Sequence, residues 1–117
     1  MTQSELKKRT KAFAVRIINF TDTLPHNRKG WTMGDQLIRA GTSVGANYRA
    51  ACRSKTKPTF IHKIGVVEEE SDECVFWLEI LEECNLGDKN ERSLLLKEAN
   101  ELTAIFTATS KSISPKN

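Results

Sequence analysis

The residues able to do chemistry in this chain are few, and their spacing restricts what they can do. Two histidines occur, His26 and His62, and neither belongs to a Glu-x-x-His or His-Glu-x-x-His pair. The ligand sets of di-iron carboxylate bundles and zinc metalloproteases are therefore absent. No Gly-x-x-x-x-Gly-Lys-Ser/Thr segment is present, which removes phosphate-loop chemistry. Cys52, Cys74 and Cys84 are odd in number and form no Cys-x-x-Cys pair, so buried free thiols are expected rather than a disulfide framework. The run Glu68-Glu69-Glu70-Ser71-Asp72-Glu73 carries enough carboxylate for a divalent cation, but consecutive side chains on a helix fan out around its axis. A solvated or ion-paired face is the better reading. No catalytic residue, metal site or cofactor is assigned.

Cations are the other chemistry on offer. Up to Lys63 the chain holds 13 Lys and Arg against 3 Asp and Glu, a net of +10; from Ile64 onward it holds 5 against 12, a net of −7. The overall +3 conceals this polarity. One group, Lys7, Lys8, Arg9, Lys11 and Arg16, lies near the start. The other, Arg39, Arg49, Arg53, Lys55, Lys57 and Lys63, runs through the middle. From these, Lys7, Lys8, Lys11, Arg39, Arg49, Arg53, Lys55, Lys57 and Lys63 are the candidate contacts to nucleic-acid phosphates, giving salt-sensitive, sequence-independent affinity. No aromatic-rich stacking motif accompanies them, so base-specific recognition is not supported. Three dispositions fit this polarity: a surface for an anionic polymer, complementary faces for self-association, or pairing of the two halves inside one bundle.

These side chains must be positioned by helices. Alternating β-branched runs are scarce, and the three prolines, Pro25, Pro58 and Pro115, fall where helical patterns stop or start. Four segments each carry one apolar seam. The first, about 4–24, is capped by Ser4 and carries Leu6, Phe13, Ile17, Phe20 and Leu24 before Pro25 and the polar run to Gly30. The second, about 32–53, is capped by Thr32 with Asp35 as its box partner, and carries Leu37, Gly41, Val44, Tyr48 and Ala51 or Cys52. The third, about 58–85, has Pro58 in its first turn and carries Phe60, Ile64, Val67, Ser71, Cys74, Leu78 and Leu81. Asn85-Leu86-Gly87 stops it, with Gly87 assigned the left-handed cap. The fourth, about 89–113, begins near Asp88 or Asn90 and carries Leu95, Ala99, Leu102, Phe106, Thr109 and Ile113.

The fold class is all-α, an antiparallel up-down-up-down four-helix bundle formed by a single domain over residues 1–117. No window approaches a membrane span, and the polar N-terminus lacks a signal-peptide apolar stretch, so a cytoplasmic protein without membrane partners is expected. Val66, Val75, Phe76, Trp77 and Ile80 lie off the third seam, and Trp31 precedes the second segment. Apolar residues on several sides of a helix in so small a bundle point to a subunit interface, hence a homo-oligomer. Gly41 and Gly45 share one helical face, and two helical glycines imply close approach of a neighbouring helix, where a leucine at 45 would overpack. Ser43 and Asn47, also four apart, are expected to bond across the bundle.

The string from Leu37 to Arg53, with Arg39, Ala40, Ser43 and Asn47 as its landmarks, resembles proteins encoded in intervening sequences of bacterial 23S ribosomal RNA genes. Phe60–Glu70 and Asp72–Glu79 extend the likeness across the third segment. Many members carry Glu-Gly after the Asn, where this chain has Ala50 and Ala51, so no role tied to that glutamate carries over. The resemblance implies a homopentameric ring of four-helix bundles without enzymatic activity. A more distant branch, the accessory proteins of diversity-generating retroelements, binds nucleic acid and a reverse transcriptase through a basic surface, which brings in a reverse transcriptase as a further implied partner. Two functions stay open: binding RNA or DNA through the basic half, or a structural scaffold whose basic and acidic halves pair between subunits.

Overall fold

The computed structural model describes residues 1–114 and contains four helices in chain order: α1 (Gln3–Thr21), α2 (Arg28–Cys52), α3 (Lys57–Glu83) and α4 (Lys89–Ile113). Each begins on a polar side chain that accepts the backbone N–H three residues on, satisfying a donor the helix itself cannot. The caps are Thr2 to Glu5 at 3.1 Å, Asn27 to Gly30 at 3.2 Å, Thr56 to Thr59 at 3.3 Å and Asp88 to Glu91 at 2.9 Å. Two of these correct the sequence reading. Thr2, not Ser4, caps α1. Asn27, not Thr32, caps α2, adding about one turn at its start, so Arg28, Lys29, Gly30 and Trp31 are helical rather than linker. Pro115 lies outside the described residues.

The stop of α3 also differs from expectation. Asn85, at φ 55°, takes the left-handed position, with its N–H bonded to the Glu82 carbonyl and that of Leu86 to the Leu81 carbonyl. This is the Schellman arrangement, in which asparagine substitutes for glycine. Gly87, at φ 83°, serves instead in the α3–α4 turn. There a Cβ would come within 2.6 Å of the Phe20 ring.

Adjacent helices run antiparallel and close a cycle α1–α2–α3–α4–α1, elongated to 46 × 25 × 24 Å. The expected seams meet inside: Leu6, Phe13, Ile17, Phe20 and Leu24 from the first segment, and Leu37, Val44 and Tyr48 from α2. Ile64, Val67, Cys74, Leu78 and Leu81 from α3 face Leu95, Ala99, Leu102 and Phe106 from α4. Leu24 reaches the core from the turn beyond α1. The Tyr48 and Phe106 rings pack 5.3 Å apart. Two seam positions are polar: Thr10 and Ser71 bond their hydroxyls to the carbonyls of Leu6 and Val67, each at 2.8 Å, and so enter the core satisfied. Arg92 is buried, and its guanidinium donates to the Leu86 carbonyl at 2.9 Å, just beyond the C-terminus of α3.

All three cysteines are free, but only Cys74 is buried; Cys52 is half-buried and Cys84, at the C-cap of α3, is exposed. Burial pushes the Cys74 thiol up to about 12, with Glu70 adding to the rise and Arg39 opposing it. Burial raises the Tyr48 phenol in the same sense. A raised acidic pKa favours the neutral folded form, so stability is complete below the ordinary thiol value of 9.0 and is lost as pH climbs toward 12. The stability difference between the native chain and Cys74→Ala, measured by urea unfolding at pH 8 and pH 10.5, should shrink at the higher pH. An unchanged difference would show that the thiol titrates normally.

Candidate nucleic-acid interface

Part of the charge polarity is spent inside the chain. Arg9 on α1 grips Glu98 on α4 with two bonds of 2.7 and 2.6 Å, and reaches Glu101 at 3.4 Å. These hydrogen bonds, Glu98 first, raise the Arg9 pKa still further. Arg16 meets Glu91 at 2.7 Å two turns further along α1. On the other side, Arg39 of α2 pairs with Glu70 at 3.0 Å and with Glu73, both on α3. Each such partly exposed pair contributes about 0–1 kcal/mol, but together they fix which helix flanks face each other. Arg39, counted from sequence among the phosphate contacts, is thus set apart from the others as an α2–α3 bridge.

The carboxylate run of α3 disperses as its helical geometry requires. Glu68 accepts the Thr107 hydroxyl at 2.7 Å toward α4, Glu70 and Glu73 turn toward Arg39, Glu73 also accepts the Trp77 indole N–H at 3.2 Å, and Glu69 faces solvent. Among the described residues no three potential metal ligands converge.

A second set of cations is brought together in a different place. Lys7, Lys8 and Lys11 from α1 and Arg49 from α2 rim an open groove of about 400 Å³, with Ala14, Thr42, Gly45 and Ala46 as its remaining walls. None of these four cations makes an ion pair among the described residues. Glu5 is the sole acid of α1, so little opposes the field there. The groove exists because the facing positions are small. A Cβ on Gly45 would lie 3.4 Å from the Thr10 backbone, in ordinary contact, and the space beyond it is open.

The two glycines therefore differ. Gly41 is the tight one: its Cβ would sit 3.0–3.2 Å from three atoms of buried Ile17. Gly45 lines the groove, so the overpacking expected of a leucine there belongs to position 41, and Gly41→Leu should lower the melting temperature more than Gly45→Leu. Equal losses would remove that distinction. Ser43 and Asn47 do not bond across the bundle either. The Ser43 hydroxyl donates to the Arg39 carbonyl at 2.7 Å and the Asn47 amide to the Ser43 carbonyl at 2.9 Å, both along α2 itself.

The remaining candidates cluster at the same end of the bundle. Arg53 caps the C-terminus of α2 one turn beyond Arg49, Lys55 and Lys57 follow through the α2–α3 connection, and all three are exposed. Lys63 is half-buried two turns before Glu70. Antiparallel packing of α1 against α2 makes this end basic, because the N-terminal lysines of α1 come to lie beside the C-terminal arginines of α2. Thr10, which permits the close approach at Gly45, interrupts the apolar seam and was legible in sequence only as a gap in it.

The 23S rRNA-intervening sequence protein family matches residues 2–108. A crystal structure of a Bacteroides thetaiotaomicron protein of the S23 ribosomal protein family, itself of unknown function, superposes with a TM-score of 0.85 at 29% identity, over 95% of this chain and 99% of that one. No curated protein matches the sequence. No helix among the described residues is long and apolar enough to cross a membrane. With its four-helix architecture and a match spanning nearly its whole length, the chain belongs to the 23S rRNA-intervening sequence protein family.

Proposed function

We propose that this protein is a non-enzymatic, cytoplasmic bundle that self-associates, as the pentamer the family resemblance implies, and holds RNA or DNA by its phosphates at the α1–α2 groove. The observation that carries this reading is the selective use of cations: Arg9, Arg16 and Arg39 are consumed by carboxylates of the same chain, whereas Lys7, Lys8, Lys11 and Arg49 surround an open groove with no such partner among the described residues. Four clustered cations are a strong electrostatic attractor for a polyanion. The family's name and the S23 ribosomal grouping of its Bacteroides relative make RNA the first polyanion to test.

Self-association is supported by apolar surface on α3. Phe76 is 52% exposed and meets Trp77 edge-on at 5.2 Å, with Glu69, Glu73 and Glu79 around them. That acid-rimmed aromatic pair also favours a second reading, a scaffold in which it docks on the basic groove of a neighbouring copy. A reverse transcriptase as partner rests on the distant resemblance alone.

Light-scattering mass with and without a short structured RNA, at 50 mM and 500 mM salt, separates the readings. An oligomer that gains mass with RNA at low salt and releases it at high salt fits phosphate binding. An oligomer indifferent to RNA, dissociating at high salt instead, assigns the groove to a neighbouring subunit.

A further inference from the structure

The basic groove continues into an apolar track that ends on an exposed tryptophan. Trp31 and Arg49 lie 18 residues apart on α2, five whole turns, so they share one azimuth and are separated by about 27 Å along the helix. Between them on the same line come Ile38, Thr42 and Gly45. On α1 the corresponding line runs from Lys7 and Lys11 through Ala14 to Ile18. Trp31 is 62% exposed and Ile18 44%, and Val15 flanks the track at 50%. Beside Trp31 stands Arg28, exposed and without an ion pair among the described residues. A cationic end, an apolar middle and a second cation beside an aromatic face thus lie along one side of the molecule.

We infer that this face takes single-stranded nucleic acid, its phosphates held by Lys7, Lys11 and Arg49 and an unstacked base lying on the indole of Trp31. This rests on the proposed phosphate-binding role of the groove and adds the form of the ligand and one further residue. Three features favour a strand over a duplex. An indole face binds a base only when that base is free of its own stack. The groove lies between two helices of one chain and holds about 400 Å³, a volume suited to one strand rather than two. Asp35, exposed one turn after Trp31, repels phosphate from that stretch, so bases rather than backbone face the apolar track. A single platform reads no sequence, in keeping with the lack of an aromatic-rich motif.

Trp77→Phe leaves Trp31 as the sole tryptophan, excited selectively on the red edge where Tyr48 does not absorb. Titration of that variant with a 12-nucleotide oligouridine at 50 mM salt should quench Trp31 emission along the binding isotherm, and an RNA hairpin should quench it far less. Trp31→Ala should weaken oligouridine binding about tenfold, within the range a base–aromatic stack gives, with an unchanged salt slope. Trp31→Phe should restore most of the affinity. Salt-sensitive oligouridine binding with constant Trp31 emission and a silent Trp31→Ala would overturn the stacking while leaving the phosphate groove in place. No binding at 50 mM salt would remove the phosphate role and this inference with it. A Trp31→Ala protein whose light-scattering mass falls in the absence of nucleic acid would give the face to a second copy of the chain.

Discussion

Gly30→Ala should lower the melting temperature by about 10 °C, although alanine is the better helix former by about 1 kcal/mol. Gly30 sits in the first turn of α2, and a Cβ there would collide with the Pro25 carbonyl oxygen and lie 2.9 Å from its carbonyl carbon. Those atoms are backbone and cannot rotate away. Relief requires reopening the α1–α2 turn, which carries buried Leu24 and the Asn27 cap on the Gly30 N–H. Overpacking of this kind costs about 1–3 kcal/mol, and loss of the cap about 1 kcal/mol more. Net of the propensity gain, about 1–3 kcal/mol remains, and a clash with rigid backbone places it toward the upper end, about 2.5 kcal/mol at roughly 4 °C per kcal/mol for a domain of this size. Gly65→Ala is the matched control. No atom lies within 4 Å of its Cβ position on α3, so the same exchange there should raise the melting temperature by a few degrees. Thermal unfolding of the two variants side by side decides the point, and a Gly30→Ala protein as stable as the native one would sink the close-contact account.

The largest expected functional effect is that of Lys7→Glu, Lys11→Glu and Arg49→Glu combined. The three cations rim one groove, have no ion pair among the described residues, and come from two helices, so no local rearrangement replaces them. Removing about three phosphate contacts should reduce the salt slope of RNA binding by roughly 2–3 and the affinity at low salt by more than about 100-fold. The melting temperature should hardly change, because none of the three side chains is buried. Arg9→Glu should behave in the opposite way. It breaks the two-pronged grip on Glu98, lowers stability by about 1 kcal/mol or more, and leaves the groove rim intact. Fluorescence anisotropy with a labelled RNA, paired with thermal melts, distinguishes the two. Affinity loss of similar size in both variants would mean that net charge alone governs binding.

Much of the architecture was legible in the sequence because a helix buries one face. The recurrence of Leu37, Val44, Tyr48 and of Ile64, Val67, Cys74, Leu78 and Leu81 at spacings of three, four and seven is a consequence of 3.6 residues per turn, and these side chains are all buried. Helix starts were less legible because several polar residues near each end are competent caps. At α2 the choice between Asn27 and Thr32 depends on whether Gly30 can nest against Pro25, which is a matter of the turn between two helices. Likewise the left-handed stop of α3 fell to Asn85 although Gly87 stood two residues away, since Gly87 was needed where the next turn crosses Phe20.

The charge polarity between the two halves of the chain is a property of sequence, and so is the list of cations that could meet a phosphate. Which of them remain free is not, because ion pairs form between residues far apart in the chain. Arg39 and Arg49 are both arginines of α2, ten residues apart; the first faces Glu70 and Glu73 across the α2–α3 seam, while the second faces lysines of α1 across a groove floored by small side chains. Sequence spacing determines the azimuth of a side chain on its own helix. The neighbour it meets there is decided only when antiparallel packing sets one helix beside another.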